Sequence, residues 1–343
     1  MDLALPFAFE AISLSVLVVI LIADLLLVVW RPHVPSMRES ALWVTAYAVL
    51  AVIFGALIFV VGNAQLATEF YAGWLTEYSL SIDNLFVFVI IMARFAVPPK
   101  MQQEVLMIGV IMALVLRAIF ILLGAALIAS FSWIFYIFGA FLIYTAIHQA
   151  VRSGQQEEET ENKLIGWLRK RISITETYNG IKLRTTVTVK EGGKSVTKRM
   201  LTPMLLVLIS LAVTDVIFAF DSIPAIFGIT TSPFIVFVAN VFALMGLRQL
   251  YFLLGGLIQK LHYLTYGIAV ILAFIGVKLV LHALHDNTLP FINGGEHLDG
   301  IPEISTEVSL IVIVAAIALS ALASVWKMRR DDRAEKVAAS TKK

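Results

Sequence analysis

Nine long apolar segments, separated by short polar stretches, dominate the sequence. A transmembrane helix needs about 20 mostly apolar residues, and only helices and closed barrels satisfy their own backbone hydrogen bonds inside lipid. The segments lie near residues 8–30, 42–62, 67–93, 103–130, 131–151, 201–228, 233–258, 262–284 and 306–326. The pattern predicts an all-α polytopic membrane protein with nine transmembrane helices.

The composition agrees with a multi-pass protein of the plasma or inner membrane. Hydrophobic residues make up 59% of the chain, charged residues 15%, and the mean hydropathy is +0.89. Soluble domains contain about 45–50% apolar residues. The first segment has no basic region before it and is too long for a signal peptide, so we expect a retained helix. Because the chain has no cysteine, any metal ligands must be oxygen or nitrogen atoms.

The charges of the loops predict the orientation of the chain. Basic residues concentrate in alternate connections, at 31–38, 94–100, 152–200, Lys260 and the tail from Lys327. The connection at 285–305 contains acidic residues and neither Lys nor Arg. By the positive-inside rule, the N-terminus lies outside and the C-terminus inside. We expect no nucleic-acid partner; the expected partners are the lipid bilayer and ions.

The segments also divide the chain into six regions. Residues 1–66 form two N-terminal helices, 67–151 a first repeat, 152–200 a cytoplasmic insertion, 201–284 a second repeat, 285–305 an acidic extracytoplasmic loop, and 306–343 the last helix with a basic tail.

Two stretches of the chain resemble each other at a spacing of about 138 residues. Glu77, Asp83 and Asn84 align with Asp215, Asp221 and Ser222. Further on, Arg117-Ala-Ile-Phe-Ile-Leu-Leu-Gly aligns with Arg248-Gln-Leu-Tyr-Phe-Leu-Leu-Gly, and His148 with Lys278. Each repeat holds three spans, helices 3–5 and 6–8, so the two are predicted to be inverted relative to the membrane. Inverted repeats of this kind build the central sites of many secondary transporters.

Each repeat contains two carboxylates six residues apart inside an apolar segment: Glu77 and Asp83 in one, Asp215 and Asp221 in the other. A carboxylate at the bilayer centre costs about 2.5–3.5 kcal/mol on the most lenient scale, so four cost roughly 10 kcal/mol. A bound cation would offset this cost. With Asn84 and Ser222 beside them, these acids form a set of hard oxygen ligands, which Mn²⁺, Mg²⁺ and Ca²⁺ prefer.

The acids of one pair cannot chelate one ion from an unbroken helix, because residues six apart lie about 120° apart around the axis and about 9 Å apart along it. Pro224 and the cap-forming residues around Asp83 and Ser222 therefore predict that both helices unwind there.

The basic and amide residues of the membrane segments allow two interpretations. Arg117 and Arg248 are either counter-ions that gate the cation site or structural partners that pair with the acids. Lys278 and His148 lie near helix ends, where snorkelling is expected. Asn240 offers either a further oxygen ligand or an interhelical hydrogen bond.

The insertion at 152–200 contains alternating residues around Asn179-Gly180, which predict a β-hairpin with its turn there. The run ending in Gly193-Lys194-Ser195 imitates part of a phosphate-binding loop. Its first glycine is missing, so we do not expect nucleotide binding.

Three stretches carry a resemblance to the TerC family of integral membrane proteins, which is named for tellurite resistance and includes Alx-type manganese exporters. They are Glu77-Tyr-Ser-Leu-Ser-Ile-Asp-Asn-Leu-Phe-Val-Phe, Thr214-Asp-Val-Ile-Phe-Ala-Phe-Asp-Ser-Ile-Pro-Ala-Ile-Phe and Ala239-Asn-Val-Phe-Ala-Leu-Met-Gly-Leu-Arg-Gln-Leu-Tyr-Phe. The resemblance covers about residues 40–284. Ala239 departs from it, since many members have serine there, and so does the stretch Ala146-Ile-His148, where glycine and lysine are expected.

The resemblance implies Mn²⁺ efflux, with metal ligands at Glu77, Asp83, Asp215 and Asp221 and with Asn84 and Ser222 adjacent. We therefore expect a carrier rather than an enzyme, without a resident cofactor, that exports Mn²⁺ by alternating access and exchanges it for protons.

Other functions stay open at this point. They are a Ca²⁺/H⁺ exchanger, an ion channel, a membrane anchor that recruits proteins through 152–200, and an intramembrane hydrolase that uses paired carboxylates as acid and base.

Overall fold

The computed structural model describes residues 5–30, 35–131, 133–152, 175, 177–191, 194–254, 263–287, 289, 292–296, 298, 300–302 and 304–341. Nine helical segments in this part of the chain are long and apolar enough to cross a membrane. Large apolar side chains on the outer helices, such as Ile12 and Val60, are exposed, as lipid-facing residues are. The protein is therefore a multi-pass membrane protein.

In the described part of the chain, the nine predicted spans correspond to ten α-helices. These are α1 (Phe7–Trp30), α2 (Met37–Val61), α3 (Ala64–Arg94), α4 (Pro99–Ser130), α5 (Ile134–Arg152), α6 (Pro203–Phe227), α7 (Pro233–Met245), α8 (Leu247–Leu254), α9 (Leu264–His285) and α10 (Thr306–Thr341). The seventh span is broken at Gly246 into α7 and α8. Lys260 and the basic residues at 31–34 lie outside the described residues.

Polar residues at the helix starts explain several of these boundaries. Ser36 accepts a hydrogen bond from the Glu39 backbone N–H, and Asn63 accepts one from that of Leu66. Each bond satisfies a backbone donor that the first turn leaves without a helical partner. Three further helices begin with proline, at Pro99, Pro203 and Pro233, where the missing N–H costs nothing.

The helices α3, α4, α6 and α7 pack into a central group, in which α3 and α4 each contact both α6 and α7. The seventh span is the most buried of the nine. The helix α2 packs against α3 and α8, whereas α10 packs against α9 and α3. The central group therefore contains the helices that carry the acidic motifs.

The helices α5 and α9 pack closely and run antiparallel. Near one end, the Tyr136 hydroxyl donates a hydrogen bond to the Asn287 side chain at 3.2 Å. Further along, a Cβ on Gly139 would lie 2.7 Å from the Gly276 carbonyl oxygen, and one on Gly276 would lie 3.0 Å from the backbone nitrogen of Ile143. Residue numbers rise along one helix as they fall along the other, so the two helices cross in opposite directions with glycines at the contact.

The described helices correct the predicted unwinding at the acidic motifs. Both α3 and α6 continue as α-helices through residues 77–84 and 215–222. Pro224 lies in the last turn of α6, where its missing N–H frees only the carbonyl of Phe220. When the Asn84 amide is oriented by its hydrogen-bond partners, its nitrogen donates to the Leu80 carbonyl at 3.0 Å, and α3 stays unbroken. The break in this part of the bundle occurs at Gly246 instead.

The insertion contains an antiparallel hairpin formed by β1 (Arg184–Glu191) and β2 (Lys194–Leu201). Its two-residue connection falls at 192–193, which are glycines, so the turn predicted at Asn179-Gly180 was misplaced. Asn179-Gly180 forms a separate tight turn, with Gly180 at φ +57° and the Lys182 N–H bonded to the Asn179 carbonyl. The acidic run at 156–161 and Gly193 lie outside the described residues.

Candidate functional site

Arg117, near the middle of α4, is the centre of a buried ionic cluster; its exposed fraction is 1%. Its Nη1 donates to Glu77 Oε2 at 2.5 Å and to Asn240 Oδ1 at 2.6 Å. Its Nη2 lies 3.5 Å from Asp215 Oδ1. These partners belong to α3, α7 and α6, so one guanidinium connects all four helices of the central group.

Asn84 is a further member of the cluster. When its amide is oriented by its hydrogen-bond partners, its oxygen accepts from Arg117 Nη2 at 3.2 Å. Asn84 lies seven residues after Glu77, which is close to two full helical turns. The two side chains therefore project from the same face of α3.

The two carboxylates of the cluster are almost completely buried. The exposed fraction is 0% for Glu77 and 3% for Asp215. Two ionised carboxylates and one guanidinium leave one negative charge uncompensated, and burial makes such a charge costly. Glu77 Oε1 and Asp215 Oδ2 are also buried and accept no hydrogen bond from any described residue. A hard cation binds carboxylate oxygens of this kind.

Two predicted ligands follow Asp215 along α6. Asp221 is half-buried and interacts electrostatically with the Arg117 guanidinium. Ser222 is 1% exposed, and its Oγ has no hydrogen-bond partner in the described part of the chain. Because Ser222 lies seven residues after Asp215, these two share a face of α6, as Glu77 and Asn84 share a face of α3.

The structure leaves the remaining predicted ligand, Asp83, untested. Its backbone belongs to α3, but its side chain lies outside the described part of the chain. Among the side chains that are described, no three His, Asp or Glu residues converge on one metal position. The contacts thus bring together Glu77, Asp215, Asn84 and Asn240 around Arg117.

Arg248 does not share these partners. Its Nη2 lies 2.8 Å from Asp24 Oδ1, which also accepts a hydrogen bond from the Tyr47 hydroxyl at 2.7 Å. Sequence reasoning missed Asp24, although it is an isolated carboxylate in the apolar first segment. The cost of intramembrane charge, which singled out the other four acids, would have found it.

Three other polar residues of the membrane segments have partners elsewhere. Lys278 Nζ donates to Ser309 Oγ at 3.1 Å, which joins α9 to α10. The ring of His148 packs on that of Tyr144, in the same helix. Glu69, a buried acid that sequence reasoning also missed, accepts a hydrogen bond from the Thr230 hydroxyl at 2.6 Å.

These features define a class: a multi-pass integral membrane protein whose central helices meet at a buried ionic cluster. The chain belongs to the integral membrane protein TerC family, whose family model matches residues 62–332.

Proteins of the same kind occur in several bacteria. An uncharacterized membrane protein of Mycobacterium tuberculosis is 44% identical over 322 residues, which cover 91% of this chain and 79% of the relative. The Escherichia coli K12 protein named "Putative membrane-bound redox modulator Alx" is 37% identical over 329 residues, or 93% of this chain and 95% of the relative. A Myxococcus xanthus membrane protein is 36% identical over 299 residues, with 87% and 86% covered. No solved structure matches the chain.

Proposed function

We propose that this protein is a secondary transporter that exports divalent cations, Mn²⁺ foremost, from the cytoplasm by alternating access. One observation carries the proposal. Glu77 and Asp215, one from each acidic motif, converge on a guanidinium between the central helices. Each keeps one buried oxygen that accepts no hydrogen bond from the described residues. The cluster therefore offers one uncompensated negative charge and two carboxylate oxygens that are free to bind a cation.

The chemistry of the cluster supports a hard divalent cation. Carboxylate, amide and hydroxyl oxygens from Glu77, Asp215, Asn84 and Ser222 match the ligands that Mn²⁺, Mg²⁺ and Ca²⁺ prefer. The choice of Mn²⁺ rests on the family resemblance. Asp83 and Asp221, the second acid of each motif, are the further carboxylate ligands in this proposal.

Arg117 acts as the gating residue in this proposal. A guanidinium and a metal ion compete for the same carboxylate oxygens and repel each other, so loading the cation requires Arg117 to withdraw. When the empty carrier is again in the conformation described here, Arg117 neutralises one of the two charges. One proton on a carboxylate would neutralise the other, which makes proton exchange the coupling reaction.

The packing of the central helices supports an inverted-repeat architecture. In the two repeats, α3 corresponds to α6, α4 to α7 and α5 to α9. The contact of α3 with α7 therefore has its equivalent in the contact of α6 with α4, and α5 contacts its own counterpart, α9. A pseudo-two-fold axis requires such reciprocal pairs. The antiparallel crossing at Gly139 and Gly276 agrees with repeats of opposite orientation, the arrangement that carriers use for alternating access.

The name of the Escherichia coli relative suggests a redox role. The 343 residues of this chain contain no cysteine, so a redox role here would proceed without thiol chemistry.

A second candidate is a membrane anchor in which the acids are purely structural. The direct contacts of Arg117 with Glu77 and Asp215 favour it, because an ion pair between helices needs no transported ion to explain it. In that case the insertion, not the ionic cluster, would carry the function.

Mn²⁺ flux into proteoliposomes separates the two candidates. We would compare the wild type with Glu77→Gln and Asp215→Asn, which keep the shape of the side chain and remove its charge. The matched control is Glu69→Gln, a buried acid of α3 outside the motif. We expect flux to fall to the level of empty liposomes in the first two variants and to persist in the control, with Ca²⁺ and Mg²⁺ as competitors to rank the ions.

Thermal unfolding in detergent shows whether each variant is folded. Folded Glu77→Gln and Asp215→Asn proteins with normal flux would make the acids structural and overturn the proposal. Flux that ignores an imposed pH gradient at fixed voltage would overturn the proton coupling alone.

A further inference from the structure

Two arginines at equivalent positions of the repeats have different partners. Arg117 and Arg248 each begin an eight-residue stretch that ends in Leu-Leu-Gly. Arg117 contacts one acid from each repeat, Glu77 and Asp215. Arg248 pairs with Asp24 of α1, which belongs to neither repeat. The two arginines therefore do not follow the pseudo-two-fold relation of the repeats.

The pairing of Arg248 is confined to one carboxylate oxygen. Asp24 Oδ1 accepts both from Arg248 and from the Tyr47 hydroxyl. Arg248 Nη1 is buried and has no hydrogen-bond partner among the residues described. Arg117, in contrast, uses both terminal nitrogens of its guanidinium on the acids. Arg248 is thus held by fewer charged contacts than its counterpart.

The helix break that precedes Arg248 lies against α3 near the first acidic motif. The helix break at Gly246 lies two residues before Arg248, and a Cβ on Gly246 would lie 3.9 Å from the ring of Tyr78. Tyr78 follows Glu77 directly in α3. The matching helix of the first repeat, α4, is unbroken. The helix that carries Arg117 is therefore continuous, whereas Arg248 directly follows a helix break.

Open space lies next to the ion pair. Asp24 and Arg248 line one part of an otherwise apolar cavity of about 330 Å³ between α1, α4 and α7. A buried side chain moves readily only where packed neighbours leave volume for it. The unfilled volume beside the pair means that a rearrangement of the Arg248 side chain would displace few packed neighbours.

We propose that Asp24 is a positioning residue that holds Arg248 away from the acidic cluster in this conformation and releases it in the opposite-facing one. There Arg248 takes the place of Arg117 between Asp215 and Glu77. The inference rests on the proposed transport function, since in a carrier with inverted repeats the two repeats exchange conformations between the two states. The arginines therefore alternate as counter-ions of one pair of carboxylates.

Cysteine accessibility tests the exchange without any transported ion. Since the chain has no cysteine, single cysteines can be introduced without first removing native ones. We would place one at Ala72 and one at Leu85, which are fully buried in α3 on either side of Glu77. We would measure their maleimide labelling rates in detergent, in the wild type and with Asp24→Asn. Loss of the ion pair should change the two rates in opposite directions, each by at least about fivefold, the lower end of usual couplings.

Two further variants make the test robust. Tyr47→Phe keeps both charges and removes one donor to Asp24, so we expect a smaller shift in the same directions even if Asp24→Asn does not fold. Glu69→Gln is the control and should leave both rates unchanged. Unchanged labelling in a folded Asp24→Asn protein would show that the pair is only a brace and would overturn the exchange.

Flux measurements then distinguish Arg248 from its partner. If Arg248 is needed at the acids in the other state, Arg248→Gln abolishes Mn²⁺ flux, and the double variant with Asp24→Asn does not regain it. A simple structural pair predicts recovery, because the double variant leaves no unpaired charge. A wild type without flux would refute the transport proposal, while the labelling result would still decide whether Asp24 controls the conformation.

Discussion

At the residue scale, the fold depends on how Arg117 is neutralised. The side chain is almost fully buried and is held by Glu77, Asp215 and Asn240. Such an ion pair adds little net stability compared with apolar packing, but removing one partner leaves a buried, unpaired charge. Neutralising one member of the cluster should therefore lower the stability more than neutralising an arginine and a carboxylate together.

The first prediction follows from this difference. Arg117→Gln should destabilise the protein by about 3–5 kcal/mol, because it leaves Glu77 and Asp215 as neighbouring, uncompensated carboxylates. Arg117→Gln combined with Glu77→Gln should lose less, since only one charge stays unpaired. Thermal unfolding in detergent, followed by tryptophan fluorescence, measures both. A double variant that is less stable than Arg117→Gln would contradict this account.

At the element scale, the close contact of α5 with α9 depends on two glycines. A Cβ at Gly139 would lie 2.7 Å from the Gly276 carbonyl oxygen and 2.6 Å from a methyl of Val280, so these two helices meet where neither glycine has a side chain. Close helix contacts at small residues are a common way to pack helices in membranes.

The second prediction compares two mid-helix glycines. Gly139→Ala should lower the unfolding temperature, because the added methyl forces α5 and α9 apart. Gly109→Ala is the matched control: its Cβ would lie 3.6 Å from Leu211, an ordinary contact, and alanine favours the helix by about 0.5–1 kcal/mol. We expect the two variants to change stability in opposite directions; equal effects would mean that the contact is not critical.

A side chain of the insertion binds the end of a membrane helix. The Tyr178 hydroxyl donates to the backbone carbonyl of Phe95, at the end of α3, at 2.6 Å. Burial raises the pKa of Tyr178 above its ordinary value of about 10. The phenol therefore stays protonated, and able to donate this bond, across the neutral range.

The third prediction concerns this attachment. Tyr178→Phe removes a hydrogen bond worth about 1 kcal/mol and should speed hydrogen exchange in β1 and β2. With its pKa raised in the folded protein, Tyr178 lowers the stability only above about pH 10, where the tyrosine of the unfolded chain ionises. The ratio of the exchange rates of Tyr178→Phe and the wild type should therefore be equal at pH 6.5 and pH 8.5. Tyr144→Phe, at a position that is 65% exposed, is the control and should leave the exchange unchanged.

At the scale of the whole molecule, the parity of the spans sets the orientation of every site. If each of the nine candidate spans in the described part of the chain crosses the membrane once, the two termini lie on opposite sides. The positive-inside pattern predicts that the insertion and the C-terminus lie in the cytoplasm. The direction of the proposed export depends on this predicted orientation.

The fourth prediction tests the orientation in cells. A cysteine at Gly300, which has open space around it, should react with a membrane-impermeant maleimide added outside. A cysteine at Ile181, exposed in the insertion, should react only after the membrane is permeabilised. The reverse result would invert the molecule and turn the proposed exporter into an importer.

The sequence by itself determined the class of protein, the nine spans and the presence of costly charges inside them. Hydropathy and the transfer cost of a carboxylate are properties of a residue and its near neighbours, so both can be obtained from the amino-acid sequence. The same reasoning indicated hard oxygen ligands, because the ligand type belongs to the side chain itself.

Only the tertiary structure decided which charges meet. The sequence shows that Glu77 and Asp83 are six residues apart, and the fold supplies the contacts between helices: Glu77 and Asp215 both meet Arg117, and Arg248 meets Asp24. The break at Gly246, in place of unwinding at the motifs, was likewise unforeseen. The physical reason is geometric: each residue turns a helix by about 100°, so the partner of a buried charge depends on how whole helices are rotated and packed.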